Sequence, residues 1–476
     1  MKNTDKFYIT TAIDYINAKP HIGHAYEKVA SDVLARHYAA NIGRDKVRFL
    51  TGTDEHGAKI AKAAETDGRP LEDFARETAA KFSFAWDQLN IEPDRFIRTT
   101  DADHIATVQS LLVTIKENGF LYEGEYEGLY CTACETFYTE TDATDHICPI
   151  HKTVLELLKE KNWFLKVNEL SQQIKPKIAS GEFVIWPISA AHEITSWLNQ
   201  GFKDIAISRP NVKWGIPLPW DKDQTVYVWV DALINYITGA KDGDKNWWPA
   251  NVHVVGKDIA KFHCIIWPAI LLAAGLELPK QVVVHGYLTI GGQKMSKSVG
   301  NVIDPNDWVA KYGADAVRYL LMREVAFGQD GDVSEEKLRT RYTGELANGL
   351  GNLVSRITTL VENYLGGEVV VDTIDEQNSE SNEIHTLIQQ FAFHDALAKI
   401  WVWVAWANKT VDEKKLWELA KTDLEDFRKT AAGILGALEI IAKELRPFMP
   451  ETAEKILIAV TAKKITKAEP LFPRIG

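Results

Sequence analysis

The chain has 476 residues, of which 46% are hydrophobic and 25% charged, with 30 Gly and 17 Pro, so collagen-like, disordered and low-complexity classes are excluded and about two to four globular domains are expected. The charge balance, 54 basic against 66 acidic residues, gives −12, which argues against a general nucleic-acid coat but allows a local basic face on an acidic body. No apolar run approaches the ~18–20 residues of a membrane span, Met1–Thr10 reads as neither signal nor transit peptide, and four cysteines are too few for a disulfide scaffold, so a reducing, cytoplasmic setting is expected.

In chain order, residues 6–13 read as a buried strand, followed by a turn at Asn17 and Pro20 and a helix from about Ile22 to Ala40. Residues 46–51 read as a second strand and Ala58 to Ala64 as a helix; this alternation predicts a parallel α/β sheet. Residues 121–150 are rich in Gly, Tyr, Thr and Asp and hold three of the four cysteines, the mark of a small metal-dependent insertion. An amphipathic helix is expected from roughly Glu156 to Ser180. Sheet pattern returns at 226–230, 252–255 and 282–290, so the α/β domain is split by the insertion and resumes. From about Ser334 the pattern is helical: Ser334 with Glu335 and Glu336 fits a helix start, Thr422-x-x-Glu425 a capping box, and acidic 372–384 a loop.

Three motifs carry chemistry. His21-Ile22-Gly23-His24 stands between a strand and a helix, where unpaired N–H groups and the helix dipole suit phosphate; two imidazoles one turn apart can donate to phosphoryl oxygens, and Gly23 lets a ligand approach the backbone. Lys294-Met295-Ser296-Lys297-Ser298 follows strand 282–290 and the turn Gly291-Gly292, a cationic arm suited to a leaving pyrophosphate. Cys131-x-x-Cys134 and Cys148-x-x-His151, about a dozen residues apart, meet the ligand count and spacing of a closed, tetrahedral structural zinc site; His146 is an alternative to His151, which the pair spacing favours. Cys264 reads as a buried core thiol.

The first two motifs together resemble the two hallmarks of class I aminoacyl-tRNA synthetases. Stretches 11–24, 49–57, 227–236, 256–263 and 285–298 are similar to the methionyl-tRNA synthetase family over nearly the whole chain. The resemblance implies a Rossmann-type parallel-sheet catalytic domain split by a zinc-knuckle insertion and followed by an all-α anticodon-binding helical bundle. Its expected bounds are 1–115 and 206–292 for the catalytic halves, 116–205 for the insertion, 293–345 for the lysine loop and stem contact, and 346–476 for the bundle.

It also implies ATP-dependent attachment of L-methionine to tRNA(Met) through methionyl-adenylate, with Mg²⁺ accompanying ATP and one structural Zn²⁺. His21, His24, Lys294 and Lys297 would be catalytic and, with Gly23, bind ATP. Asp54 matches the partner of the methionine ammonium; Ala12, Ile13, Tyr15, Trp229, Ala232, Tyr236 and His285 match the pocket around the thioether. The family more often has an uncharged residue where this chain has Asp14, whose side chain either alters the pocket rim or points to solvent. Asn352, Arg356 and Trp417 match residues that read the CAU anticodon, while Leu416 stands where the family often has Pro. Trp401, Trp403 and Trp406 are expected in the core, and Arg339, Arg341 and Arg356 form either a basic face or a solvated helix face. No further C-terminal domain follows, so a monomer is expected. The competing readings are a sibling class I synthetase for another amino acid and a non-catalytic tRNA-binding relative.

Overall fold

The computed structural model describes residues 5–131, 136–138, 143–150, 152–210, 212–295, 300–370 and 379–475. Its centre is a seven-stranded sheet built from β1 (Phe7–Thr11), β2 (Asp14–Tyr15), β3 (Val47–Asp54), β4 (Arg95–Arg98), β5 (Val184–Trp186), β6 (Val252–Gly256) and β7 (Gln281–His285). The order is β2-β3-β1-β6-β7-β5, with β4 also on β3, and every pairing is parallel. All residues of β1, β3 and β6 are buried, as strands covered on both faces must be. β1 is flanked by β3 and β6, so the chain leaves its C-terminal end where the strand order reverses, the usual ligand crevice of such sheets.

Helix α1 (Ile22–Ile42) starts at that crevice and is buried along most of its length, including the polar Glu27, Lys28, Ser31, Asp32 and His37. Helix α2 (Val228–Gly239) packs on the opposite side, in the core that holds Tyr8, Leu50 and Val255. The run 226–230 is therefore only partly strand: Asp221–Val226 is extended, and the next residues begin α2, with Tyr227 at its N-cap.

The insertion is an antiparallel sheet. Leu121–Cys131 pairs with Glu156–Leu165 from Leu121↔Leu165 to Tyr130↔Glu156. The helix expected from Glu156 thus begins at Val167 and ends at Ser180; ten residues before it are claimed by a partner strand, which overrides their local helix propensity. Among the described residues, strands end at Asp332 and the remainder is helical. Ser334 caps its helix by accepting from the Lys337 N–H, as expected. The cap near 422 is Asp423, which accepts from the Glu425 and Asp426 N–H groups, whereas Thr422 closes the preceding helix. Of the expected loop 372–384, residues from Ser379 are helical and 372–378 lie outside the described residues. No helix among the described residues is long and apolar enough to cross a membrane.

Candidate active site

His21 is the N-cap of α1. Its Nδ1 accepts from the N–H groups of Gly23 (3.1 Å) and His24 (3.3 Å), while its own N–H donates to His24 Nδ1 (3.2 Å). The pair forms a reciprocal capping box from two imidazoles, stacked with centroids 3.6 Å apart. Because Nδ1 is an acceptor in both rings, each neutral imidazole carries its proton on Nε2 and is a donor there. Burial, reinforced by His21 and Lys28, holds His24 well below the usual histidine range, which keeps it neutral. The sequence motif therefore fixes tautomer as well as position.

Met295 and Ile303 reach this end of α1. A Cβ on Gly23 would sit 2.9 Å from Met295 Cε, and the Ile22 N–H donates to the Ile303 carbonyl at 3.0 Å. Lys294 belongs to a short strand with Gln293, while Lys297 lies outside the described residues.

Several of the residues expected in the amino-acid pocket pack on one core. Tyr15 pairs with Asp54 in register, and Asp54 is buried. Ala12, Ile13, Tyr15 and Trp229 pack against the core containing Ala232's neighbours Val230, Leu233 and Tyr236. Trp229 stacks on Phe262 at 4.3 Å. The Tyr236 hydroxyl lies 2.7 Å from His263 Nε2, and His263 Nδ1 lies 3.0 Å from the Ile259 carbonyl. Since the carbonyl can only accept, Nδ1 carries the proton and Tyr236 donates to Nε2. Sequence reading missed His263 and Phe262, which sit on a π-helical turn, Phe262–Ile266, inside the stretch 256–263 that carries the resemblance. His285 makes other contacts: Glu27 Oε2 at 3.1 Å and the rings of Tyr26 and Phe327. Asp14 does not point to solvent. It is 4% exposed and paired with Lys28 at 2.7 Å.

Behind the pocket, Asp231 of α2 bridges two histidines, His56 Nδ1 at 2.7 Å and His104 Nε2 at 2.8 Å. Despite burial, those two partners hold its carboxyl below the ordinary value, so it stays ionised. His56 follows Asp54 by two residues and Asp231 follows Trp229 by two; the bridge thus ties together the segments that carry Asp54 and Trp229.

Cys131 and Cys148 are buried, 1% and 0% exposed, in one small core with Leu129, Ala143 and Leu155. The chain turns tightly at Cys148: the Lys152 N–H donates to its carbonyl (2.9 Å) and its N–H to the Thr153 carbonyl (2.8 Å). His146 is exposed. Cys134 and His151 lie outside the described residues, and among the described residues no three metal-binding side chains converge. Cys264 is a fully buried core thiol, as expected.

On the helical domain, Asn352 is exposed one turn before Arg356, whose guanidinium lies 5.5 Å from the Trp417 ring and 2.8 Å from Asp412. Leu416 is buried and starts its helix after Lys415, which takes a left-handed φ of 44°, so the turn forms without Pro. Trp401 and Trp403 are partly buried, but Trp406 is 49% exposed, against the core expectation. Arg341 is paired with Glu324 and Glu345 and does not extend a basic face, whereas Arg339 is exposed.

The family model "tRNA synthetases class I (M)" matches residues 7–155 and 140–358. A methionine–tRNA ligase of Thermotoga maritima is 40% identical over 98% of this chain and 77% of its own length. One from Clostridium tetani is 40% identical over 99% of this chain and 79% of its own. Among solved structures, Mycobacterium tuberculosis methionyl-tRNA synthetase in complex with methionyl-adenylate superposes with a TM-score of 0.92 at 36% identity, covering 99% of this chain and 100% of that one. The free form of the same enzyme gives 0.83 at 33% identity, covering 100% and 99%.

Proposed function

The chain belongs to the methionyl-tRNA synthetases of class I, and on that premise we infer how its own residues perform the family's reaction. It activates L-methionine with ATP and charges tRNA. The observation that most supports the residue roles is the paired-imidazole cap at the crevice end of α1, with Met295 of the lysine loop against Gly23.

In the first step a methionine carboxylate oxygen attacks the α-phosphorus of magnesium-bound ATP, and pyrophosphate leaves. A carboxylate is already nucleophilic, so no general base is required, and the site's work is positioning and stabilising charge at phosphorus. His21 and His24 donate to phosphoryl oxygens from Nε2. Gly23, lacking a side chain, lets the phosphate reach the helix N-terminus. Lys294 and Lys297 hold the departing pyrophosphate. Asp54 pairs with the substrate ammonium, and Trp229 and Tyr236, the latter oriented by His263, wall the thioether, a suitable surface for polarisable sulfur. In the second step the terminal ribose hydroxyl of tRNA(Met) attacks the methionyl carbonyl and AMP departs. Asn352, Arg356 and Trp417 read the CAU anticodon, with Trp417 offering a stacking face.

The test is ATP–pyrophosphate exchange with each of the twenty amino acids. Exchange strongest with methionine is expected; a different preferred amino acid would discard the pocket assignment, and no exchange from folded protein would favour a binding relative.

Cys131, Cys134, Cys148 and His151 would hold one zinc ion. The fit rests on two buried thiols, Cys131 and Cys148, that share one small core among the described residues, and on soft donors that suit zinc. With all four positions filled by protein, the ion supplies structure and no catalysis. Elemental analysis of protein purified without chelator is expected to give one zinc per chain; metal-free protein with an intact knuckle would refute it.

A further inference from the structure

Lys28 lies inside α1 with its side chain 2% exposed, next to the pocket and absent from the roles above. An ammonium has three N–H donors. Here they meet Asp14 Oδ1 at 2.7 Å, Glu27 Oε1 at 3.0 Å and the Ala12 carbonyl at 3.0 Å, and the Trp86 ring lies 5.9 Å away. Glu27 also meets His285, whose Nε2 faces Glu27 Oε2 at 3.1 Å and whose Nδ1 faces the Gly286 carbonyl at 2.8 Å. Both ring nitrogens of His285 face oxygens, so the cluster runs without a break from Asp14 through Lys28 and Glu27 to His285.

Such a cluster is a poor device for stability, because a buried ion pair commonly does no better than apolar residues of the same volume. Asp14 shows the cost: its Oδ2 has no hydrogen-bond partner, and burial pushes its carboxyl up to about 7 against the pull of Lys28. What the cluster does provide is position. Lys28 grips the backbone of Ala12 and the side chain of Asp14, on either side of Ile13. Asp14 and Tyr15 then pair with Thr53 and Asp54, so the same grip fixes the register next to Asp54.

We propose that Lys28 is a positioning residue for the amino-acid substrate: its ammonium ties the strand exit Ala12–Tyr15 to α1 in the shape that receives methionine. This rests on Ala12, Ile13, Tyr15 and Asp54 being part of the methionine pocket.

The experiment is exchange kinetics on full-length Lys28→Met, Asp14→Ala and Asp14→Asn, with thermal melts to verify folding. Lys28→Met and Asp14→Ala cut the tie, and each should raise KM for methionine at least tenfold while leaving KM for ATP within twofold. Asp14→Asn keeps an oxygen acceptor for Lys28 and should remain within threefold of wild type. Should Lys28→Met fail to fold, Asp14→Ala carries the test alone. The proposal falls if the folded variants keep the wild-type KM for methionine, if KM for ATP rises in step, or if Asp14→Asn is as impaired as Asp14→Ala. Wild-type exchange that prefers another amino acid would instead refute the pocket reading itself.

Discussion

Replacing Arg318 with Met is expected to cost about 3–5 kcal/mol of stability, read as a lowered urea midpoint. Arg318 is fully buried at the junction of the catalytic and helical regions. Its guanidinium donates to Asp32 of α1 (2.6 Å) and to four carbonyls: Leu89 (3.1 Å), Asn90 (3.4 Å), Pro447 (2.9 Å) and Phe448 (2.8 Å). Met fills similar volume but donates nothing, so several buried acceptors lose their partner at once, and each such loss is costly. Asp32 keeps Arg36 at 2.7 Å, which limits the damage on that side. Because the lost bonds span α1, the end of the helix Leu71–Gln88 and the turn before Pro450, loosening them frees the bundle relative to the sheet. tRNA charging should therefore fall more than ATP–pyrophosphate exchange at temperatures where the variant is folded. A cost below about 1 kcal/mol, or equal losses in both activities, would show that the junction is held by its apolar contacts instead.

The extent to which this architecture could be read from sequence follows from where each signal lies. β1 and β3 announce themselves because buried parallel strands are near-continuous runs of β-branched and aromatic residues. The paired histidines and the cysteine spacing are equally local. Glu156–Leu165 is misread because its charged residues Glu156, Lys159, Glu160 and Lys161 mixed with leucines resemble an amphipathic helix, and the strand that claims it lies some thirty residues earlier. At 226–230 a β-branched run crosses a boundary set by Tyr227, whose carbonyl starts the hydrogen bonding of α2. Glu27 and Lys28 look like a solvated helix pair, and only the fold reveals that both are buried against Asp14 and His285. The same holds for His263: its partner Tyr236 is 27 residues away, and no spacing rule joins them. Apolar pattern is written along the chain, whereas buried polar partnership is decided by which segments the fold brings together.

Within that site, His21→Asn separates two roles that one side chain combines. In the resting enzyme His21 Nδ1 caps α1, and its Nε2–H is the donor assigned to phosphate. Asn is among the best N-cap residues, so its side-chain oxygen can replace Nδ1 as acceptor and stability should stay within about 0.5 kcal/mol of wild type. The His21 N–H that sets the His24 tautomer belongs to the backbone and is unaffected by the substitution. What Asn lacks is a donor reaching as far as Nε2. Removing one preorganised donor to developing charge typically costs about 10²–10³-fold in turnover, and exchange should fall by that order with little change in KM for methionine. His21→Ala loses the cap as well and should add about 1 kcal/mol of destabilisation to the same kinetic defect. The two variants together give a clear decision. Equal activity loss with unequal stability means the imidazole acts on phosphate; activity that tracks stability, intact in Asn and lost in Ala, means His21 is a cap and the phosphate donors lie elsewhere.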